Sequence, residues 1–320
     1  MIRAALVSVL AALLAACAAI SNAGALGGAA VTDKRIALTF DDIPRGRGAF
    51  FDDEERTRRI IANLAESGVS QAAFFLNPGM IDGRAGAADR IARYVSAGHV
   101  IANHSNTHPH LSDTDAEAYL ADIDTAENWL KGREGYRPWF RYPFLDEGGR
   151  DKVKRDTVRA GLAERGLRNG YVTVDASDWF YEQAAIDAKA AGQVMDMDGL
   201  RDLYVESHVQ SAEFSDALAR RTLGRAPAQV MLLHETDLAA LYLSDLVTAL
   251  KAKGWRIISA DEAFADPIGQ LQPDVPSAQG TLTEALAWEL GLPAPRWYAR
   301  NNPSLAGDEF RRRVIGGQKD

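Results

Sequence analysis

Residues 36–44 have the sequence IALTFDDIP, an apolar run of strand-forming residues that ends in two carboxylates and a proline. The run predicts a buried strand, and Pro44 ends it because proline has no N–H for a strand ladder. Adjacent side chains of a strand point to opposite faces, so Asp41 and Asp42 can enter one site only where the strand ends. In α/β folds that edge of the sheet is where sites are built. Taken alone, the motif is equally compatible with a polar turn after an ordinary strand.

The rest of the chain alternates between helix and strand patterns. Helices are predicted over residues 53–67, 87–97, 113–131, 152–165 and 244–253, and further strands over residues 71–76, 99–103, 171–175, 229–235 and 255–259. This alternation predicts right-handed βαβ units and a parallel sheet. The long polar segment 181–226 is predicted to form two helices with a turn near residues 195–199.

The N-terminus has a different composition from the rest of the chain. Arg3 is the only charged residue before position 33, and the residues that follow it are nearly all apolar. A short basic start and an apolar run predict an export signal over residues 1–25, and hence a location in the periplasm or cell envelope. Cys17 lies in the sequence LAAC, which resembles a bacterial lipobox, so a lipid tether is one expectation. Cleavage after Ala23 or Ala25 is the other.

Composition limits the function classes. The 320 residues carry a net charge of −8, with 47% apolar and 25% charged residues, as in ordinary globular domains. An acidic chain without a basic run is a poor partner for nucleic acid, and no protein partner is evident. Because Cys17 is the only cysteine, no disulfide or thiol chemistry is expected in the mature domain.

Histidines are concentrated after the third predicted strand. His104 and His108 are four residues apart, a spacing that places two side chains on one face of a helical turn and commonly holds a divalent metal. Three of the six histidines of the chain fall within residues 104–110. This concentration favours a site over a chance surface pair, with His110 expected outside it.

Three more polar groups follow predicted strands. Arg141 lies among aromatic residues, where it can orient a carboxylate by a bidentate bond or simply be a surface arginine. Asp178 follows residues 171–175 and belongs either to a site or to a polar loop. His234 ends a clear buried strand. It is either a residue of the site or a hydrogen-bonded histidine of the core.

In chain order, these groups closely resemble the five motifs of the polysaccharide deacetylase family, the NodB-homology or carbohydrate esterase family 4 enzymes. The matching segments are TFDD at 39–42, HSNTH at 104–108, RYPF at 141–144, DASDW at 175–179 and LLH at 232–234. The resemblance implies an α/β fold, a distorted (β/α)7 barrel over residues 33–265. Residues 266–320 are then a C-terminal extension, whose Trp288, Trp297 and Tyr298 suggest that it packs back onto the barrel; a glycan-contacting surface is the alternative.

The resemblance also implies roles for individual residues. One divalent metal ion, usually Zn²⁺, would be bound by Asp42, His104 and His108. The proton-transfer groups would be Asp41 as general base, held by Arg141, and His234 as general acid, oriented by Asp178. Substrate would contact Pro143, Phe144, Trp179 and Leu232, with the last two lining the acetyl pocket.

The chemistry of these residue types agrees with those roles. Three protein ligands leave an open metal position for water and substrate, the metal polarises a carbonyl, and an amide leaving group needs an acid to protonate it. The leading hypothesis is therefore a hydrolase that removes N-acetyl groups from a glycan. An O-acetyl esterase and a catalytically silent glycan-binding protein are the alternatives.

Four features depart from the family pattern. Ile43 stands where a glycine is usual and is expected to change the cleft wall. Glu235 replaces an aspartate, and Leu145 replaces a glycine. The segment between Trp179 and His234 is longer than is typical, which suggests a lid or a cleft wall.

Overall fold

The computed structural model describes residues 33–316, so the export signal and the lipidation predicted at Cys17 lie outside the described residues. The strands are β1 (Lys34–Ile43), β2 (Ala73–Leu76), β3 (Val100–Asn103), β4 (Tyr136–Phe140), β5 (Asp146–Gly149), β6 (Arg168–Asn169), β7 (Gln229–His234), β8 (Trp255–Ile257) and β9 (Ala278–Gln279). The α-helices are α1 (Asp53–Glu66), α2 (Ala87–Ser96), α3 (Ala116–Leu130), α4 (Lys152–Glu164), α5 (Asp178–Ala190), α6 (Met197–Leu223), α7 (Asp237–Ala252), α8 (Ala260–Phe264), α9 (Leu282–Glu289) and α10 (Pro303–Phe310).

The main sheet is parallel and has the strand order β6-β4-β3-β2-β1-β7, with β8 pairing the first residues of β1. Val174 forms a single bridge with Met231 on β7. The segment 168–174 therefore contacts both ends of the sheet, since its first residues pair with β4 as β6. The sheet curls into a half-barrel, and the predicted α/β fold with a parallel sheet is confirmed.

The central strand β1 is buried because both of its faces are covered. Ile36, Leu38 and Phe40 lie in the main apolar cluster with side chains of α1, α2, α6 and α7, whereas Ala37 belongs to a second cluster. Phe40 stacks on Phe74 of β2 with ring centroids 4.9 Å apart. Burial on both faces explains the continuous apolar run in the sequence and fixes the end of β1 in place.

Two predicted elements differ from the structure. Residues 171–175 do not form a regular strand, because the carbonyls of Gly170 and Tyr171 accept hydrogen bonds from the Arg141 side chain. Only Val174 in that stretch bridges to β7. Helix α7 begins at Asp237, seven residues before its predicted start, with the Thr236 hydroxyl capping it. Its first turns are apolar on nearly all sides, which hides the helical period.

The segment between Trp179 and His234 forms the two predicted helices, α5 and α6, but it is neither a lid nor a cleft wall. Leu203, Tyr204 and Ala212 of α6 are buried in the main apolar cluster. None of residues 181–226 lines the cavity at the end of β1. The predicted effect of Ile43 on the cleft is also wrong, because its side chain is buried in the same apolar cluster.

The C-terminal extension covers the seam at residues 168–174. Leu282 and Leu286 lie in an apolar cluster with Trp139 and Tyr171. The backbone N–H of Leu282 donates to the carbonyl of Val172 at 2.9 Å, and β9 pairs antiparallel with β5. Farther along the extension, Tyr298 is buried, whereas Trp288 and Trp297 remain exposed. Among the described residues, no helix combines the length and the apolar character needed to span a bilayer.

Candidate active site

The end of β1 presents both aspartates to one cavity. Asp42 has φ 65°, in the left-handed region, and this turn of the backbone interrupts the strand alternation that would send neighbouring side chains apart. Both Asp41 and Asp42 therefore line a cavity of about 500 Å³ together with His104, His108 and His234. The structure thus brings together groups from the ends of β1, β3 and β7.

Asp42, His104 and His108 form a cluster with metal-ligand geometry. One oxygen or nitrogen from each lies within 4.8 Å of the others. Asp42 Oδ1 is 3.0 Å from His108 Nε2 and 3.6 Å from His104 Nε2. These separations suit three ligands that share one tetrahedral ion at about 2.0–2.2 Å each.

Two further observations show that the cluster fits a cation. Asp42 Oδ1 is buried and accepts no hydrogen bond from the residues that the structure describes. His104 Nδ1 lies 2.9 Å from the carbonyl of Arg141, so Nδ1 carries the proton and Nε2 presents a lone pair to the cluster, as in metal-ligating histidines.

The two histidines do not lie on a helical turn, which corrects the prediction. Residues 104–108 form a loop in which Ser105 and His108 both have φ in the left-handed region, at 67° and 60°. The hydroxyl of Ser105 accepts from the N–H of His108 at 3.0 Å, and Asn77 donates to the carbonyl of His104. The loop, rather than the helical period, brings the rings together with centroids 4.9 Å apart.

Sequence reasoning missed Arg45, which contacts the other oxygen of Asp42. Arg45 Nη1 donates to Asp42 Oδ2 at 2.8 Å, and its backbone N–H donates to Glu235 Oε2 at 3.0 Å. Glu235 is buried and also accepts from the hydroxyl of Tyr94 at 2.8 Å. The glutamate that departs from the family pattern therefore anchors the loop that carries Arg45, and Arg45 leaves Oδ1 as the oxygen of Asp42 that faces the histidines.

Arg141 holds Asp41 in a fully buried ion pair. Its Nη1 donates to Asp41 Oδ1 at 2.6 Å and to Thr39 Oγ1 at 2.8 Å, and its guanidinium lies 3.8 Å above the ring of Phe75. The side chains of Arg141 and Asp41 are 1% and 3% exposed. The second oxygen of Asp41 is 3.6 Å from His104 Nε2, so this carboxylate is fixed beside the metal-ligand cluster.

We expect Arg141→Met to lower the free energy of unfolding by about 3–5 kcal/mol, because it leaves the Asp41 carboxylate buried without its partner. Urea denaturation of the single variants and of the Asp41→Asn/Arg141→Met double variant measures this. The double variant should lose less stability than the two single variants summed, since it removes both charges. Strictly additive losses would contradict the coupling.

His234 and Asp178 form a second polar pair on the other side of the cavity. Asp178 is buried at the first residue of α5, and its carboxylate accepts from His234 Nδ1 at 2.7 Å and from the His234 backbone N–H at 2.8 Å. His234 Nε2 lies 4.0 Å from Asp42 Oδ2. Burial lowers the pKa of His234, but the Asp178 carboxylate outweighs burial and raises it to about 9.

This pKa predicts an alkaline limit for any reaction that needs protonated His234. The acid form persists up to about pH 9 and is lost above it. In Asp178→Asn the larger raising charge is gone, burial still lowers the pKa and Asp42 still raises it, so the limb of the kcat–pH profile should move to well below pH 9. Asp187→Asn, on the exposed side of the same helix, is the matched control. An unchanged profile in Asp178→Asn would refute the coupling.

The predicted substrate-contacting residues are placed differently from one another. Phe144, Trp179 and Leu232 line the cavity, and the residues Phe144 and Trp179 are 48% and 42% exposed. Pro143 is buried and does not line it. Phe144 and Leu145 have φ of 58° and 50°, so the glycine that is usual at position 145 is replaced here by a leucine in left-handed backbone that also faces the cavity.

Three further cavity residues had no place in the predicted site. His110 lies outside the metal-ligand cluster, as expected, yet it lines the same cavity and stacks on Phe144 with ring centroids 3.5 Å apart. Gln279 and Asn301 reach the cavity from the C-terminal extension. Neither residue follows an apolar strand pattern in the sequence, so only the three-dimensional structure reveals them.

Comparison with known proteins agrees with the geometry. Residues 28–168 match the family profile described as polysaccharide deacetylase. Over this part of its length the chain is similar to polysaccharide deacetylases. It is 26% identical over 235 residues to a peptidoglycan-N-acetylglucosamine deacetylase of Bacillus cereus, covering 72% of this chain and 68% of that protein. A second peptidoglycan-N-acetylglucosamine deacetylase, from Listeria monocytogenes, is 23% identical over 242 residues, covering 75% of this chain. The chain spans only 41% of the length of that second relative.

The fold of this chain also occurs in solved structures. A family 4 carbohydrate esterase pseudoenzyme from Bacillus anthracis superposes with a TM-score of 0.50 at 18% identity, covering 73% of this chain and 66% of that one. At this identity the likeness concerns the fold alone. Because a pseudoenzyme shares the fold, activity has to be argued from the residues of the site.

Proposed function

We propose that this protein is a metal-dependent deacetylase that hydrolyses N-acetyl groups of a glycan. The observation that carries the proposal is the Asp42–His104–His108 cluster, which shares one cavity with Asp41 and His234. Each of these two side chains is held by a buried partner, Arg141 for Asp41 and Asp178 for His234. A silent binding protein has no need to keep a base, an acid and three ligands together. The family's dependence on a divalent metal supports the same assignment, and two nitrogens with one oxygen are a ligand set typical of Zn²⁺.

In this proposal, Asp42, His104 and His108 would hold the ion, which would supply Lewis-acid polarisation of the acetyl carbonyl and of water when bound. Asp41 takes the proton from the attacking water, and Arg141 fixes which of its oxygens faces the cavity. Protonated His234 donates its Nε2 proton to the departing amine of the sugar. Asp178 holds the His234 ring through Nδ1, so that Nε2 points to the cavity and the imidazolium is stabilised. Trp179, Leu232 and Phe144 surround the space for the acetyl group and sugar ring.

The substrate proposed first is the N-acetylglucosamine of peptidoglycan, since the Bacillus cereus and Listeria monocytogenes relatives are named for that reaction. The aromatic and amide groups around the cavity suit an uncharged sugar, which offers apolar ring faces and hydroxyls. With this substrate the protein would act in the cell envelope, in keeping with the export signal predicted over residues 1–25 and the tether predicted at Cys17. Oligomeric N-acetylglucosamine and O-acetylated glycans are the other substrates to test.

The decisive experiment is acetate release by purified protein from peptidoglycan, chitooligosaccharide and acetylxylan, before and after chelation and after return of Zn²⁺. We expect release from an N-acetylated glycan that stops on chelation and returns with the metal. Release from acetylxylan alone would favour an O-acetyl esterase. Bound metal without release from any glycan would favour the silent binding protein, and absence of metal binding would overturn the site itself.

A further inference from the structure

One residue of the C-terminal extension contacts the loop that leads into Asp178, the hydrogen-bond partner of His234. Asn301 lies at the end of the short 3-10 helix Ala299–Asn301 and lines the cavity. Its Nδ2 donates to the carbonyl of Asp175 at 3.1 Å, and its Oδ1 accepts from the hydroxyl of Ser177 at 3.2 Å. The side-chain amide of Asn301 therefore hydrogen-bonds to both ends of the turn at residues 175–177. This turn immediately precedes Asp178.

The turn itself lies beyond the last bridge to the sheet. Before it, Val174 bridges to β7 and forms backbone hydrogen bonds with Val230 and Leu232, and at its end Ser177 has φ 52° and ψ 45°, in the left-handed region. A serine in that conformation costs free energy that the surroundings must supply. Besides Asn301, the hydroxyl of Ser211 donates to the Asp175 carbonyl at 2.5 Å, and the Ser177 N–H donates to Asp175 Oδ1 at 2.9 Å.

The position of this turn sets the position of Asp178 and, through it, of the His234 ring. Asp178 is the residue after Ser177, and its two carboxylate oxygens are bonded to the backbone N–H and ring Nδ1 of His234. A displacement of the turn is therefore transmitted directly to the imidazole. Small errors in the placement of a proton donor are costly, with losses of up to about 100-fold for about 1 Å.

We propose that Asn301 is a positioning residue of the reaction: it holds the 175–177 turn and thereby keeps Asp178 and His234 aligned toward the cavity. The inference rests on the proposed function in that His234 acts as the proton donor. It assigns the C-terminal extension a part in the active site, since without the Asn301 side chain the turn loses three hydrogen bonds, two from Nδ2 to Asp175 and one from Ser177 to Oδ1.

The first test compares Asn301→Ala with Asn302→Ala. Asn302 is the same residue type in the same extension, and its side chain caps α10 by accepting from the Ser304 N–H at 2.9 Å. Both variants disturb the extension, but only Asn301→Ala removes the bonds to the turn. We expect kcat to fall about 10- to 100-fold in Asn301→Ala with KM and metal affinity within about twofold of wild type. Asn302→Ala should keep kcat within about twofold. Equal losses in both variants, or full activity in Asn301→Ala, would overturn the proposal.

A second test asks whether the effect passes through Asp178. In an Asp178→Asn background, Asn301→Ala should change kcat by less than about twofold, because the pair it aligns is already broken. The same 10-fold or larger loss in both backgrounds would refute a positioning role. Ser177→Ala, which deletes one of the three contacts and leaves Asn301 in place, should give a smaller loss and serves if Asn301→Ala fails to fold.

The third readout does not depend on activity. The hydrogen bond from His234 Nδ1 to Asp178 should give a downfield proton resonance, assigned by its absence in His234→Gln. In Asn301→Ala we expect this resonance to shift upfield or broaden, and in Asn302→Ala to stay unchanged. If wild-type protein releases no acetate but the resonance responds in this way, the proposed function fails and the positioning contact stands. An unaltered resonance in folded Asn301→Ala would refute the contact.

Discussion

Asp41→Asn is expected to lower kcat for acetate release by about 10²–10⁴-fold, the range typical for loss of a general base. The amide cannot take a proton from water, but its oxygen can still accept from Arg141 Nη1, so the contact seen at 2.6 Å is preserved in kind. The cluster of Asp42, His104 and His108 is untouched, and the variant should bind one equivalent of metal. Steady-state kinetics on the best glycan substrate, with metal analysis of the same sample, measures both properties.

Asp52→Asn is a suitable control for Asp41→Asn. Asp52 caps helix α1 by accepting from the Glu55 N–H and has no part in the cavity. Because asparagine is also a good N-cap residue, Asp52→Asn should leave kcat unchanged and lower the free energy of unfolding only slightly. Activity of Asp41→Asn within tenfold of wild type would show that another group takes the proton, and the assigned mechanism would be wrong.

Replacement of a metal ligand should have the second large effect. We expect His104→Ala and His108→Ala to weaken metal binding by more than about 100-fold, a larger loss than is usual for a residue that only hydrogen-bonds to a ligand. Acetate release should fall to background. Each variant leaves two ligands and an unpartnered Asp42 oxygen. Metal content after gel filtration, and competition with a chromogenic chelator, report the affinity without reference to activity.

His110→Ala is the matched histidine control. His110 lines the same cavity but is not one of the three clustered ligands, and it packs against Phe144 instead. It should retain one equivalent of metal with an affinity close to that of wild type. If His110→Ala lost the metal as completely as His104→Ala, the assignment of Asp42, His104 and His108 as the ligands would be wrong.

Most of the charged and histidine side chains that sequence reasoning assigned to the site share one property. Asp41, Asp42, His104, Arg141 and His234 each stand at or just after an apolar strand of the parallel sheet. Strand ends of a parallel sheet meet at one edge, so residues far apart along the chain can be grouped from the amino-acid pattern alone. The half-barrel follows from the same alternation of strand and helix.

The residues that were missed or misplaced depend on backbone geometry and on distant contacts. No periodic pattern predicts the left-handed conformations of Asp42, Ser105 and His108, which aim the ligands. Asn301 contacts Asp175 across 126 residues, and nothing in its own neighbourhood marks it. Residues 171–175 have strand-forming composition, but the Arg141 side chain takes the carbonyl bonds of Gly170 and Tyr171.

The seam covered by the extension has a consequence for how this chain is made. The hydroxyl of Thr39 on β1 donates to the carbonyl of Met231, 192 residues later, and Leu282 bonds to Val172 of the segment 168–174 later still. A polypeptide still emerging from the ribosome therefore has an unpaired β1 edge and an uncovered apolar cluster for most of its synthesis. Contacts this far apart slow folding and leave strand edges open to aggregation. The nascent protein should be a client of holding chaperones until nearly its whole length has been synthesised.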